Sequence, residues 1–382
     1  MRRIYRSDWL AIVKRKIFIG LFVITGLILI SFPGIAAGDE NTPLARRYNI
    51  GFRILKVPRP GTESLVVAVW YPTNEKPAPM KYFLIGRELE ADVAKDAFPL
   101  KGPFPLVILS HGGGVSATSL AIYAEELTAS GFVVAGPDHS DEFIACRSDK
   151  KTKVRVRDWL RWAYEGSTKV ARSRGQAMKY KHRPAEVTAT IDYLLKLNAD
   201  PKSPFYGIVA PEKIGMMGVS FGAWTTLAVS GAIPWYHDRR IKAAVPIGGH
   251  PGMSRRSTDI SRLKIPVMII FGEKETMVLL DSRSPPKTEG MKQDYALANP
   301  PKFLIGVKGA KHLNFGGAGA FNAKMGKTFS TRDVRFKDAV TGVVNKYCLA
   351  FFRRYLMDDY TAEKILTKPD PRLFIFREAF RD

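Results

Sequence analysis

Residues 213–219 form a short apolar run that passes without a break into Gly218-Val219-Ser220-Phe221-Gly222, and a small-residue stretch follows. This passage constrains the fold more than any other in the chain. A strand must turn into a helix within a few residues, and flanking glycines let the backbone pass close to itself. The predicted outcome is a strand–turn–helix unit that exposes the Ser220 hydroxyl at a helix N-terminus.

The rest of the chain is built from similar pieces. Residues 104–110, 132–136, 243–247, 267–271 and 303–307 are further short apolar runs. Residues 119–130, 187–197 and 340–356 have helical spacing, with Val187, Ile191, Leu194 and Leu195 on one face of the second. Continuous apolar runs suit strands buried on both faces, so a mainly parallel central sheet with helices on both faces is expected. Residues 50–58 and 64–72, joined by Arg59-Pro60-Gly61-Thr62, read as an antiparallel N-terminal hairpin at one edge. A chain of 382 residues accommodates one large α/β domain, 39–382, behind an N-terminal segment. In such sheets ligands bind beyond the carboxyl ends of the strands, so the chemical residues should sit just after strands.

Ser220 meets that condition, but a serine hydroxyl needs a base to take its proton. With the serine on a strand-to-helix turn, the partners follow in the order acid, then His. Three histidines lie beyond Ser220: His237, His250 and His312. His312, in Gly309-Ala310-Lys311-His312, follows the last apolar run and is the candidate base. His237 lies in a polar stretch, and His250 follows a strand. The base needs a carboxylate to fix its tautomer and stabilise the imidazolium. Glu275, after 267–271, is the first choice, with Glu273 and Asp281 as rivals in the same segment. The oxyanion of a tetrahedral intermediate needs preorganised N–H donors. His111-Gly112-Gly113-Gly114 follows 104–110, and the backbone N–H groups of Gly113 and Phe221 are the candidate oxyanion hole.

Val69-Trp70-Tyr71-Pro72-Thr73, Leu109-Ser110-His111-Gly112-Gly113, Gly131-Phe132-Val133-Val134 through Asp138-His139, Arg183-Pro184, the Ser220 turn and Gly309-Ala310-Lys311-His312 together resemble the platelet-activating-factor acetylhydrolase and predicted dienelactone hydrolase group. The similarity covers roughly residues 47–357. It implies an α/β-hydrolase fold and a serine carboxylic-ester hydrolase of short-acyl or phospholipid esters, with no metal or organic cofactor. It also implies that His139 lies near the site. One departure stands out. By the resemblance, the acetylhydrolases of this group carry their acid just after the strand that follows the helix behind the Ser220 turn. Here that position reads Pro246-Ile247-Gly248-Gly249-His250-Pro251, without a carboxylate. The acid therefore moves one strand later, as in dienelactone hydrolases, and it is Glu. An amidase or acyltransferase of the same fold, or a non-catalytic binding protein, are the competing classes.

The formal net charge of +23 favours anionic partners such as phospholipid headgroups. Nucleic acid is not expected, because neither zinc-finger spacing nor a helix-turn-helix signature is present. Residues 147–183 hold thirteen Lys/Arg and three Asp/Glu, interleaved with Trp159, Trp162, Tyr164 and Tyr180. They read as a lid-like insert, either solvated or docking on an anionic membrane surface. Residues 1–38 combine a basic start, an uncharged run from 17 to 38 and small residues at Ala36 and Ala37, a signal peptide or membrane anchor. Export, with cleavage near Ala36 or Ala37, is expected. Cys146 and Cys348 are too few for a disulfide framework or a thiolate metal site.

Overall fold

The computed structural model describes residues 48–84, 87–141, 144–152, 181–249, 258–275, 288–316, 331 and 339–381. Residues 1–47, where the signal peptide or anchor is expected, most of the basic insert, His250 and Asp281 lie outside the described residues. The strands are β1 (Asn49–Val57), β2 (Leu65–Thr73), β3 (Ala78–Leu84), β4 (Arg87–Lys95), β5 (Phe104–Ser110), β6 (Val133–Pro137), β7 (Val209–Val219), β8 (Ile241–Ile247), β9 (Val267–Lys274), β10 (Lys302–Lys311) and β11 (Leu373–Ala379). They form one sheet in the order β11-β10-β9-β8-β7-β5-β6-β2-β1-β4-β3. The block from β10 to β6 is parallel throughout. β1 and β2 pair antiparallel, β2 joins β6 antiparallel, and β11 closes the far side antiparallel to β10.

Five α-helices are described: α1 (Ala121–Ala129), α2 (His182–Ala199), α3 (Phe221–Leu227), α4 (Thr288–Leu297) and α5 (Ala339–Leu356), leaving aside the single turn at Glu363–Leu366. They divide between the two faces. Val187, Ile191 and Leu194 of α2 bury against Val67, Val69, Leu106, Ile108, Val133, Ile214 and Met216. Gly215, one residue before Met216, faces the other way: a Cβ there would lie 2.7 Å from the Phe352 ring of α5. Alternate residues of β7 therefore meet helices on opposite sides, the condition that makes parallel strands apolar throughout. This is the α/β-hydrolase architecture that the resemblance implied.

The N-terminal hairpin forms in the expected register, with Ile50 opposite Pro72 and Val57 opposite Leu65. It does not lie at the edge. β4 pairs parallel with β1, and β3 pairs antiparallel with β4 to make the edge itself. The aromatic rings of Phe52, Trp70 and Tyr82 pack together, and Trp70 Nε1 donates to Tyr82 Oη at 2.8 Å, tying this second hairpin to the first. Two further elements exceed their sequence readings. α2 begins at His182 rather than 187, and β10 runs on to Lys311 rather than ending at Val307.

Candidate active site

The Ser220 turn is built by contact. A Cβ on Gly218 would collide with Gly222 O, and one on Gly222 with Ser110 O, so both positions must lack a side chain. Ser220 itself takes φ 60° and ψ −116°, a conformation that non-glycine residues rarely adopt. Such strain costs on the order of 1–3 kcal/mol and persists only where the surroundings enforce it. Here Ser220 N–H donates to Ile247 O of β8 at 2.9 Å, and Ser220 O accepts from Ala223 N–H at 2.9 Å in the first turn of α3. The serine is thus held between the end of β8 and the start of its own helix, and its side chain remains partly exposed.

Strand register brings the partners to it. In the parallel pair β9–β10, Lys274 is opposite Lys311, so the residues just past the two strands, Glu275 and His312, emerge side by side. His312 Nδ1 hydrogen-bonds Glu275 Oε1, and His312 Nε2 lies 2.9 Å from Ser220 Oγ. With Nδ1–H donating to the carboxylate, Nε2 is left to accept the serine proton. Glu275 is fully buried, and its second oxygen accepts from Gly272 N–H at 3.1 Å. A turn in which Glu275 N–H donates to Gly272 O at 3.2 Å tucks it there. Tyr123 Oη of α1 donates to Phe315 O at 2.8 Å and steadies the loop that follows His312.

Of the rivals, Glu273 and His237 are among the described residues, and neither joins this chain of hydrogen bonds. Glu273 accepts from Gly309 N–H at 2.7 Å and does not reach His312. His237 is exposed, with its ring beside Gly231. The loop after β5 passes over the serine: a Cβ on Gly112 would lie 3.6 Å from Ser220 Cβ and 3.7 Å from Val219 O. Gly113 follows in that loop, and Phe221 opens α3 next to Ser220. Among the described residues, no cluster of three or more His, Cys, Asp or Glu side chains is arranged to hold a metal. Cys146 and Cys348 are buried and not linked to each other, and burial pushes both thiols up.

Beneath this loop lie residues to which the sequence reading assigned no chemical role, among them His139, which the resemblance put near the site. His139 Nδ1 is 2.8 Å from Glu186 Oε2, and its Nε2 is 2.8 Å from Ser110 Oγ. Arg183, fully buried, makes a bidentate pair with Asp141. Burial, with the Arg183 cation second, holds the His111 and His139 imidazoles below their usual range, so both are neutral. Burial opposes ionisation of Asp141 and Glu186, but Arg183 outweighs it for Asp141, and hydrogen bonds from His139 and Ser140 do so for Glu186, which falls to about 2. A sequence signal existed. Arg183 and Glu186 fall on the same stripe of α2 as Val187, Thr190, Ile191 and Leu194, where an unpaired charge would be costly.

The profile of the family described as platelet-activating factor acetylhydrolase, isoform II, matches residues 82–370. The chain belongs to this family. That span takes in Ser110, the Ser220 turn, Glu275 and His312. The chain is also 25% identical over 282 residues to a platelet-activating factor acetylhydrolase from Cavia porcellus, a match covering 69% of this chain. It spans 60% of the length of that relative.

Proposed function

We propose that the chain is a serine carboxylic-ester hydrolase, with Ser220 as nucleophile, His312 as general base and Glu275 as the acid. One observation carries the reading: the unbroken hydrogen-bonded chain Ser220 Oγ–His312 Nε2, His312 Nδ1–Glu275 Oε1, with the nucleophile partly exposed and the carboxylate buried. In the first half-reaction His312 Nε2 takes the hydroxyl proton as Ser220 Oγ bonds to the ester carbonyl carbon. The carbonyl π electrons move onto oxygen, and the Gly113 and Phe221 N–H groups are the proposed hydrogen-bond donors to that oxyanion. As the oxyanion reforms C=O, the C–O bond to the alcohol breaks, and His312 returns its proton to the departing oxygen. Water then repeats the sequence on the acyl-serine and releases the acid and free Ser220. Glu275 keeps the imidazole in the Nδ1–H tautomer and stabilises the imidazolium.

Membership of the acetylhydrolase family supports a lipid ester of short acyl chain as substrate, and the basic composition supports its presentation on an anionic surface. The proposed acid follows β9 rather than the preceding strand, where the resemblance put it for the acetylhydrolases, so the alcohol and acyl groups are left to direct test. Export of the body by residues 1–38 is part of the same reading. The test is turnover by wild type and Ser220→Ala on matched p-nitrophenyl esters, short-chain phospholipids and anilides. Ester and phospholipid hydrolysis that Ser220→Ala abolishes supports the proposal. Faster anilide cleavage would favour an amidase, and wild-type turnover in Ser220→Ala would refute the nucleophile.

A further inference from the structure

The polar cluster beneath the glycine loop has a geometry of its own. Ser110, His139 and Glu186 repeat the arrangement of Ser220, His312 and Glu275, yet all three are sealed from solvent, so no substrate can reach them. What they hold is the loop. His139 fixes the Ser110 side chain, and its backbone N–H donates to His111 Nε2 at 3.0 Å. His111 Nδ1–H donates to Gly112 O at 2.7 Å. Arg183 does the rest: Nη1 donates to His111 O at 2.7 Å and Nη2 to Gly112 O at 3.2 Å, while Nε and Nη2 also grip Asp141.

Peptide planarity turns this clamp into an aiming device. Gly112 C=O and Gly113 N–H belong to one rigid peptide unit and point in opposite directions. Whatever holds the carbonyl sets the direction of the N–H. Without side chains, residues 112–114 would otherwise sample many orientations. The buried cation also polarises the peptide it holds, which strengthens the N–H on the far side as a donor. We infer that Arg183, braced by Asp141, is a positioning residue that aims the Gly113 N–H at the reacting carbonyl oxygen. The inference rests on the hydrolase reading above.

The test uses two variants of the full chain. Arg183→Lys keeps the charge opposite Asp141 but loses the fork. Arg183→Met with Asp141→Asn removes both charges together, so neither is left buried and alone. Each is assayed for p-nitrophenyl acetate hydrolysis, for inhibition by an aryl trifluoromethyl ketone, whose serine adduct carries an oxyanion, and for thermal midpoint. Loss of a donor that acts only in the transition state lowers kcat and kcat/KM together. The expected result is a fall in kcat of about 10- to 100-fold, below or at the ordinary cost of one oxyanion donor, with Arg183→Lys the milder. The inhibition constant should rise by a matching factor, while KM and the pH midpoint of kcat/KM stay near wild type. Arg183→Lys with wild-type kcat and inhibitor affinity would overturn the inference, as would a loss of kcat with unchanged inhibitor affinity. Should the double variant not fold, Arg183→Lys decides alone. A wild-type protein that neither hydrolyses esters nor labels at Ser220 with a fluorophosphonate overturns both readings, whereas an active wild type matched by Arg183→Lys overturns this one only.

Discussion

Glu275 and Glu273 are two residues apart on one strand end, and their fates differ completely. Glu273 caps the Gly309 N–H, whereas the turn at Gly272 tucks Glu275 under His312. Glu275→Gln should therefore lower kcat by about 10³- to 10⁴-fold, because the amide no longer fixes the Nδ1–H tautomer. Glu273→Gln should stay within a few-fold of wild type in the same steady-state assay. The opposite ranking would contradict the assignment. The sequence alone left these carboxylates open, because the choice depends on a four-residue turn and on how far β10 extends. That Ser220 and His312 would come together was readable, since each follows an apolar run. Arg183 was not given a role: its work is done on backbone carbonyls, which carry no residue identity.

The central strands could be read from their unbroken apolar runs, but the second hairpin could not. β4 reads Arg-Glu-Leu-Glu-Ala-Asp-Val-Ala-Lys, a composition poor in strand-favouring residues. Yet Leu89, Ala91 and Val93 are buried while Glu90 and Asp92 are exposed, the two-residue alternation of a strand. Tertiary pairing with β1 and β3 overrides the weak local preference. If β4 is an integral part of the sheet, Leu89→Ala should destabilise the protein by about 2–5 kcal/mol, read from the urea midpoint. A change of a few tenths would mean that the hairpin is loosely attached.

At the scale of the whole molecule, two buried neutral histidines make stability depend on pH. His111 and His139 have folded pKa values below the unfolded value of about 6.5. Between those values the unfolded chain binds more protons than the native one, so stability rises with pH and is lost as pH falls below about 6.5. Asp141 and Glu186, also lowered, add a second loss below about pH 4. The unfolding free energy measured by urea titration should therefore fall from pH 7 to pH 5, by up to about 1.4 kcal/mol per pH unit for each histidine. A flat profile would contradict the neutral assignment. The net charge of +23 makes a separate prediction. Binding to anionic vesicles should weaken steeply with added salt, since screening acts over about 8 Å at physiological ionic strength. Equal binding to neutral and anionic vesicles would contradict it. The most direct test of the central claim is covalent labelling of the wild-type protein with a fluorophosphonate, followed by peptide mass spectrometry. The account predicts one adduct per chain, on Ser220, abolished by Ser220→Ala and strongly slowed by His312→Ala. An unlabelled protein, or an adduct on another residue, would contradict it.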